Sequence, residues 1–161
     1  MPPLSGLRIL AVEVYGAGPF GSAHLADLGA EVIKIEQREG GDVSRAVGPY
    51  FLGAHDSHFF QCLNRNKKSL TLDLKHPRGR EVLRRLAATA DGLMGNLRGD
   101  QPEKLEITYE SLKKSNPKIV CAHLSALVGS SGIIAGRNHH PQGGSRYEAK
   151  HSGYRSGKDR L

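Results

Sequence analysis

The stretch from Gly16 to Glu36, GAGPFGSAHLADLGAEVIKIE, constrains the fold more than any other part of the chain. Gly16, Gly18 and Gly21 have the spacing G-x-G-x-x-G and follow directly on the apolar run Leu7 to Val14. A strand feeding a glycine turn, a helix and then a second apolar run over Glu31 to Ile35 is a βαβ unit. Such crossovers are right-handed and build parallel sheets. Glu36 lies twenty residues beyond Gly16, where an acid can take a ribose hydroxyl in a dinucleotide site. On these residues alone, an NAD(P)-binding module is one open reading.

The alternation of strands and helices continues along the chain. Pro19 suits the first helical position, where its missing N–H costs nothing, and Phe20, Ala23, Leu25 and Leu28 then form an inward face until Gly29. Leu70, Leu72 and Leu74 alternate with Thr71 and Asp73 as a period-two strand. His76-Pro77 opens a helix whose stripe is Val82, Leu83, Leu86, Ala87 and Ala90. Gly92 to Met94 is a short strand, Thr108 caps a helix ending before Asn116-Pro117, and Ile119 to Leu124 is the last strand. The expected class is α/β, a Rossmann-like parallel sheet with flanking helices. Open parallel sheets bind ligands beyond the carboxyl ends of their strands. Here those ends are Val14 to Gly18, Glu36 to Arg38, Lys75, and Gly95 to Arg98.

Longer words in the sequence favour a different ligand from the dinucleotide. Ala17-Gly18-Pro19-Phe20 and the run Asp27 to Glu36 resemble the amino-terminal signature of the family III CoA-transferases. That family includes formyl-CoA transferase, carnitine CoA-transferase and α-methylacyl-CoA racemase. The run Asn64 to Lys75, followed by Pro77-Arg78-Gly79, is similar to the family's N-x-N-K-[KR]-S…L-D-[LM]-K…P-x-G block. Asn96, Tyr109-Glu110 and Asn116-Pro117 fall where the family has its next landmarks. A lone glycine pattern is weak, whereas ordered blocks support one another. The resemblance covers residues 3–126, expected as one nucleotide-binding region.

The resemblance implies CoA or acyl-CoA as substrate, with a carboxylic acid as acceptor and no permanently bound cofactor. It places the CoA-binding positions at Gly16, Ala17, Gln37, Arg38, Leu72, Asp73, Leu74, Lys75, Asn96, Leu97, Arg98 and Lys104. Gln37 stands where the family commonly has an arginine, with Arg38 next along as its substitute. Leu97 replaces an aromatic residue that could stack on adenine. Arg65, Lys67 and Lys68 are either a solvated basic loop or phosphate-facing cations. His123 is expected to be a packed strand histidine.

The resemblance further implies an aspartate nucleophile that forms a mixed anhydride and then an enzyme-bound CoA thioester. It lies beyond the part matched here, so no catalytic residue is assigned. Family members are much longer chains with a second domain, assembled as interlocked homodimers. Leu127-Val128-Gly129-Ser130-Ser131-Gly132 replaces the family's glycine-rich continuation. Residues 127–161 therefore read as an unassigned, disordered, basic glycine-rich tail on a truncated chain that is inactive alone. A non-catalytic CoA-binding or subunit-interaction fragment is the alternative.

The net charge of +7 suits a polyanion, either CoA or nucleic acid. Residues 1–126 carry 17 basic and 14 acidic side chains, and residues 127–161 carry six and two. Over half the excess thus sits in the tail, which has the composition of a solvated extension, so no nucleic-acid partner is expected. No window approaches the ~20 apolar residues of a membrane span. Met1-Pro2-Pro3 leads almost at once into a strand-like run, so no leader peptide is expected. Cys62 and Cys121 are too few for a disulfide framework, and a cytoplasmic protein with reduced thiols is expected. His139-His140 lacks partners at ligand spacing, so no metal site is expected.

Overall fold

The computed structural model describes residues 1–54, 56–127 and 130–135. The chain runs β1 (Arg8–Val12), α1 (Ala17–Asp27), β2 (Glu31–Glu36), a 3-10 turn (Val43–Ala46), α2 (His58–Asn64) and β3 (Lys67–Thr71). It continues with α3 (Pro77–Ala87), β4 (Gly92–Gly95), α4 (Gln101–Lys104), α5 (Tyr109–Leu112), β5 (Val120–Leu127) and β6 (Ser130–Ala135). The sheet order is β3-β2-β1-β4-β5-β6; every pairing is parallel except β5 with β6. The chain steps outward from β1 to β3 and then returns to the other side of β1 with β4. That reversal opens a crevice at the carboxyl ends of β1 and β4, the usual ligand position in such sheets.

Alternate residues of β1 serve the two faces. Leu10 and Val12 join the larger core with Leu83 and Ala87 of α3, while Ala11 packs with Ala26 of α1 and Val32 of β2. The α1 face is built from small residues: Gly18, Pro19, Ser22, Ala23 and Ala26 are buried. A Cβ on Gly18 would lie 2.8 Å from Glu13 Cβ, and one on Gly21 would lie 2.6 Å from Met94 Cε. Close helix–sheet packing therefore requires Gly18 independently of any ligand, whereas the obstacle at Gly21 is the end of a flexible side chain that can turn aside. Nothing lies within 4 Å of the Cβ position of Gly16.

Several expectations are corrected. Helix α1 begins at Ala17, so Pro19 is its third residue, still among the first-turn positions without an intrahelical acceptor. Phe20 and Leu28 are exposed, at 58% and 45%, because the face that α1 turns to the sheet runs through Gly18, Pro19, Ser22, Ala23 and Ala26. Phe20 instead meets the His24 ring edge-on, with centroids 4.6 Å apart. Strand β3 begins at Lys67, ahead of the expected Leu70, so the basic pair Lys67-Lys68 is in the ladder and not a loop.

The sheet also runs past residue 126. Ser130–Ala135 pairs antiparallel with β5, with Leu124 opposite Ile133, where the sequence reading began a disordered tail. Ile133 and Ile134 have high strand propensity, and an antiparallel partner needs only a short connection. Residues 136–161, including His139-His140, lie outside the described residues.

Candidate functional site

A cleft of about 610 Å³ opens at the carboxyl ends of the parallel strands. The ends of four strands line it, with Val12 to Val14 at β1, Ile35 to Glu39 at β2, Leu72 to Lys75 beyond β3 and Leu97-Arg98 beyond β4. Gly41 to Val43, Gln101 and Leu105 complete it. Eight of the twelve residues expected to form a site meet there, namely Gln37, Arg38, Leu72, Asp73, Leu74, Lys75, Leu97 and Arg98. Arg38, Lys75 and Arg98 are exposed, and none of them forms an ion pair among the described residues. Apolar contributions come from Leu72, Leu74, Leu97 and Leu105. The cleft thus offers four leucine side chains and three cations without an ion pair among the described residues, beside the exposed carboxylates of Glu39 and Asp73.

The β3–α3 wall is fixed by its own hydrogen bonds. Asp73 Oδ1 accepts from the Lys75 N–H at 3.0 Å, and His76 caps α3 by accepting from the Arg78 N–H. Arg80 reaches back from α3 and donates to the carbonyls of Leu74 (3.1 Å) and Lys75 (2.9 Å). Its guanidinium is in turn held by Glu106, 3.0 Å away. Arg80 is a supporting residue that the sequence reading did not single out.

The other four expected residues fall outside the cleft lining. Gly16 and Ala17 form the start of α1. Asn96 spends its amide on the backbone of Val14, accepting from its N–H at 2.8 Å and donating to its carbonyl at 2.9 Å. It therefore stitches β4 to β1 at the crevice and positions the β1 end. Lys104 is exposed and paired with Asp100 at 2.7 Å. Arg65 and Lys68 are likewise turned away, toward Asp27 and Glu31.

Beneath the cleft lies a charge network that the motifs did not reveal. Lys34, 1% exposed, sits 2.7 Å from Asp42 Oδ2 and donates to the Glu13 carbonyl at 3.2 Å. Lys67 Nζ is 2.9 Å from Glu13 Oε1 and also donates to the Pro19 carbonyl and to Asn64 Oδ1. Ser22 Oγ donates to the same Glu13 oxygen at 2.6 Å. Burial pushes the Lys67 ammonium below its usual range while Glu13 draws it back. Burial would raise the Asp42 carboxyl, but Lys34 and the Ser44 and Tyr15 N–H groups hold it below the carboxylate norm. Lys67 is thus a structural cation, which closes both expectations for it. One signal was available: Lys34 interrupts the apolar run Val32-Ile33-Ile35, and a parallel strand is buried on both faces, so its charge demands partners.

Glu36, the acid that the dinucleotide reading assigns to a ribose, is already occupied. Arg45 grips both its oxygens at 2.9 Å, Ser69 Oγ donates at 2.7 Å and the Asp42 N–H at 2.9 Å. Arg45 also lies over the Phe60 ring, 3.7 Å from its centroid. Burial opposes the charge on Glu36, yet the Arg45, Ser69 and Asp42 hydrogen bonds lower its pKa from 4.5 to about 2. A lowered folded-state pKa contributes stability that is complete above the ordinary value and lost as pH falls toward the folded one. Stability is therefore expected to drop by about 3 kcal/mol between pH 4.5 and 2 from this group. Urea unfolding across that range should show the slope in the parent chain and a much flatter one in Glu36→Gln; equal slopes would refute the assignment.

His123 bears out the packed-histidine expectation: it is half-buried, and burial lowers its pKa. Among the described residues no group of three or more His, Cys, Asp and Glu side chains has metal-holding geometry. No helix among them is long and apolar enough to cross a membrane.

The chain is similar to proteins of known class over most of its length. The family model for CoA-transferase family III matches residues 4–143, a span that continues beyond residue 126. A succinate–glutarate CoA-transferase of Agrobacterium fabrum is 40% identical over 139 residues, covering 83% of this chain and 34% of the relative. A succinyl-CoA:glutarate CoA-transferase of Mus musculus is 38% identical over 137 residues, covering 85% and 31%. A crystal structure from M. tuberculosis superposes with a TM-score of 0.71 at 36% identity, covering 78% of this chain and 35% of the other. The chain spans about a third of the length of the curated relatives it matches.

Proposed function

The chain belongs to CoA-transferase family III, and on that premise we propose that its strand-end cleft binds the nucleotide end of an acyl-CoA. The reaction served is transfer of CoA between an acyl-CoA and a free carboxylic acid. The observation that carries this reading is the set Arg38, Lys75 and Arg98, three exposed cations that line the cleft with Leu72, Leu74 and Leu97 and form no ion pair among the described residues. CoA is a suitable counterpart because it combines an adenosine 3′-phosphate and a pyrophosphate with an apolar base. Cations on flexible stems serve phosphate well as point charges. Leu72, Leu74 and Leu97 supply the surface for the base, and Gln37 and Asp73 its polar edge.

Gly16, Ala17, Asn96 and Lys104 enter the proposal differently. Gly16 and Ala17 open α1 and leave room for backbone approach, Asn96 acts through Val14, and Lys104 is a peripheral charge. CoA comes and goes as a substrate, so no resident cofactor is part of the reading. The nucleophilic carboxylate is not assigned to this chain. A cytoplasmic location and an interlocked homodimer, as the resemblance implies, belong to the same proposal; the free thiols Cys62 and Cys121 suit the former.

Calorimetric titration of the chain with CoA, 3′-dephospho-CoA and NAD tests the reading. CoA is expected to bind, dephospho-CoA more weakly, and NAD not measurably. Tighter binding of NAD than of CoA would overturn it. Lys75→Ala should weaken CoA binding by on the order of 1 kcal/mol, about fivefold in Kd. Lys104→Ala, outside the cleft lining, should have a smaller effect.

A further inference from the structure

A second cavity, of about 300 Å³, lies away from the strand-end cleft, between the Val47–Tyr50 segment and α2. This is at the lower end of the range for small-ligand sites, roughly 300–1,000 Å³. Its walls are apolar: Pro49, Tyr50, Phe59 and Leu63 all contribute. Two chemically active side chains open onto it, His58 and Cys62. They are one helical turn apart on α2 and therefore share a face, and Cys62 Sγ lies 3.9 Å from both ring nitrogens of His58. Both residues are exposed. A thiol, an imidazole that rotation about its side-chain bonds brings into hydrogen-bonding reach of that thiol, and an apolar cavity beside them are the parts of a nucleophilic site.

We infer that the Cys62–His58 pair is a thiol-acylation site that takes acyl groups with apolar tails from thioesters. The His58 imidazole accepts the Cys62 S–H proton, and the thiolate attacks the thioester carbonyl. The tetrahedral intermediate then collapses with cleavage of the bond to the carrier sulfur. The departing carrier thiolate recovers the proton from the imidazolium. One thioester is exchanged for another, so no oxidant, reductant or metal takes part. The cavity holds the acyl tail while the carrier stays outside. Cys121 is an internal control, because it is buried and burial pushes its thiol up to about 11.

The experiment uses octanoyl and acetyl thioesters of N-acetylcysteamine on the full chain, followed by intact-mass and peptide-mapping mass spectrometry. These probes carry no nucleotide or phosphate, so failure of CoA to bind the strand-end cleft would leave the result untouched. The expected result is one hydroxylamine-labile octanoyl adduct, mapped to Cys62, with Cys121 unmodified. It should form on the order of tenfold faster than the acetyl adduct and than acylation of free N-acetylcysteine at the same pH. His58→Gln should slow it by about tenfold or more while leaving the thermal unfolding curve in place, and Cys62→Ser should abolish the labile adduct. Acylation of Cys62 no faster than that of the free thiol, an equal rate in His58→Gln, or no preference for octanoyl over acetyl would each overturn the inference.

Discussion

Replacing Lys34 by methionine is expected to lower the stability of the chain by about 3–5 kcal/mol, the usual cost of removing one partner from a buried ion pair. The ammonium is 1% exposed and stands between Asp42 Oδ2 at 2.7 Å and the Glu13 carbonyl at 3.2 Å. Methionine matches its length but leaves the Asp42 carboxylate buried without a cation. Glu13 keeps Lys67, so the damage centres on Asp42. Asp42 Oδ1 holds the N–H groups of Tyr15 and Ser44, and so ties the β1–α1 turn to the Val43–Ala46 turn. Adding Asp42→Asn should recover part of the loss, because asparagine keeps that acceptor oxygen and removes the stranded charge. Urea midpoints of the single and double variants measure this. A single-variant loss under about 1 kcal/mol, or a double variant less stable than the single, would show that the network contributes little.

The same network marks where the sequence became unreadable. Pattern reading located the strand ends, since apolar runs and turn residues are local signals, and those ends brought Gln37, Arg38, Leu72 to Lys75 and Leu97-Arg98 to one cleft. It could not tell which charges face the cleft and which are consumed inside, because that depends on contacts between distant segments. Lys67 looked like its neighbour Lys68, yet one is buried against Glu13 and the other reaches an exposed pairing with Glu31. Glu36 satisfied a spacing rule for ribose binding, but Arg45, nine residues on, engages both its oxygens. Helix α2 went unrecognised because HFFQCLN is only seven residues long and has no clean apolar stripe; Ser57, whose hydroxyl accepts from the Phe60 N–H, was its only local mark. The β3 boundary shifted because Leu72 N–H still bonds to Glu36 while Asp73 turns the chain, so alternation persisted beyond the ladder.

Gly79→Ala is expected to destabilise the chain by about 2–3 kcal/mol or more, against the ordinary preference of helices for alanine, worth about 1 kcal/mol the other way. Gly79 lies in the first turn of α3, and a Cβ there would stand 1.9 Å from the Asp73 carbonyl oxygen and 2.7 Å from its carbon. The obstacle is backbone, so no side-chain rotation can relieve it. Either α3 lifts away from the core that Leu83 and Ala87 form with Leu10 and Val12, or the Asp73–Lys75 segment moves. The second route strains the Asp73–Lys75 hydrogen bond and the two carbonyl contacts from Arg80, and it displaces one wall of the cleft. The variant should therefore lose affinity for CoA as well as stability, which an effect confined to α3 would not produce. Gly16→Ala is the matched control: its Cβ position meets nothing within 4 Å, and its stability should stay within about 0.5 kcal/mol of the parent. Thermal unfolding and CoA titration of both variants decide the matter, and a Gly79→Ala chain as stable as the parent would refute the packing argument.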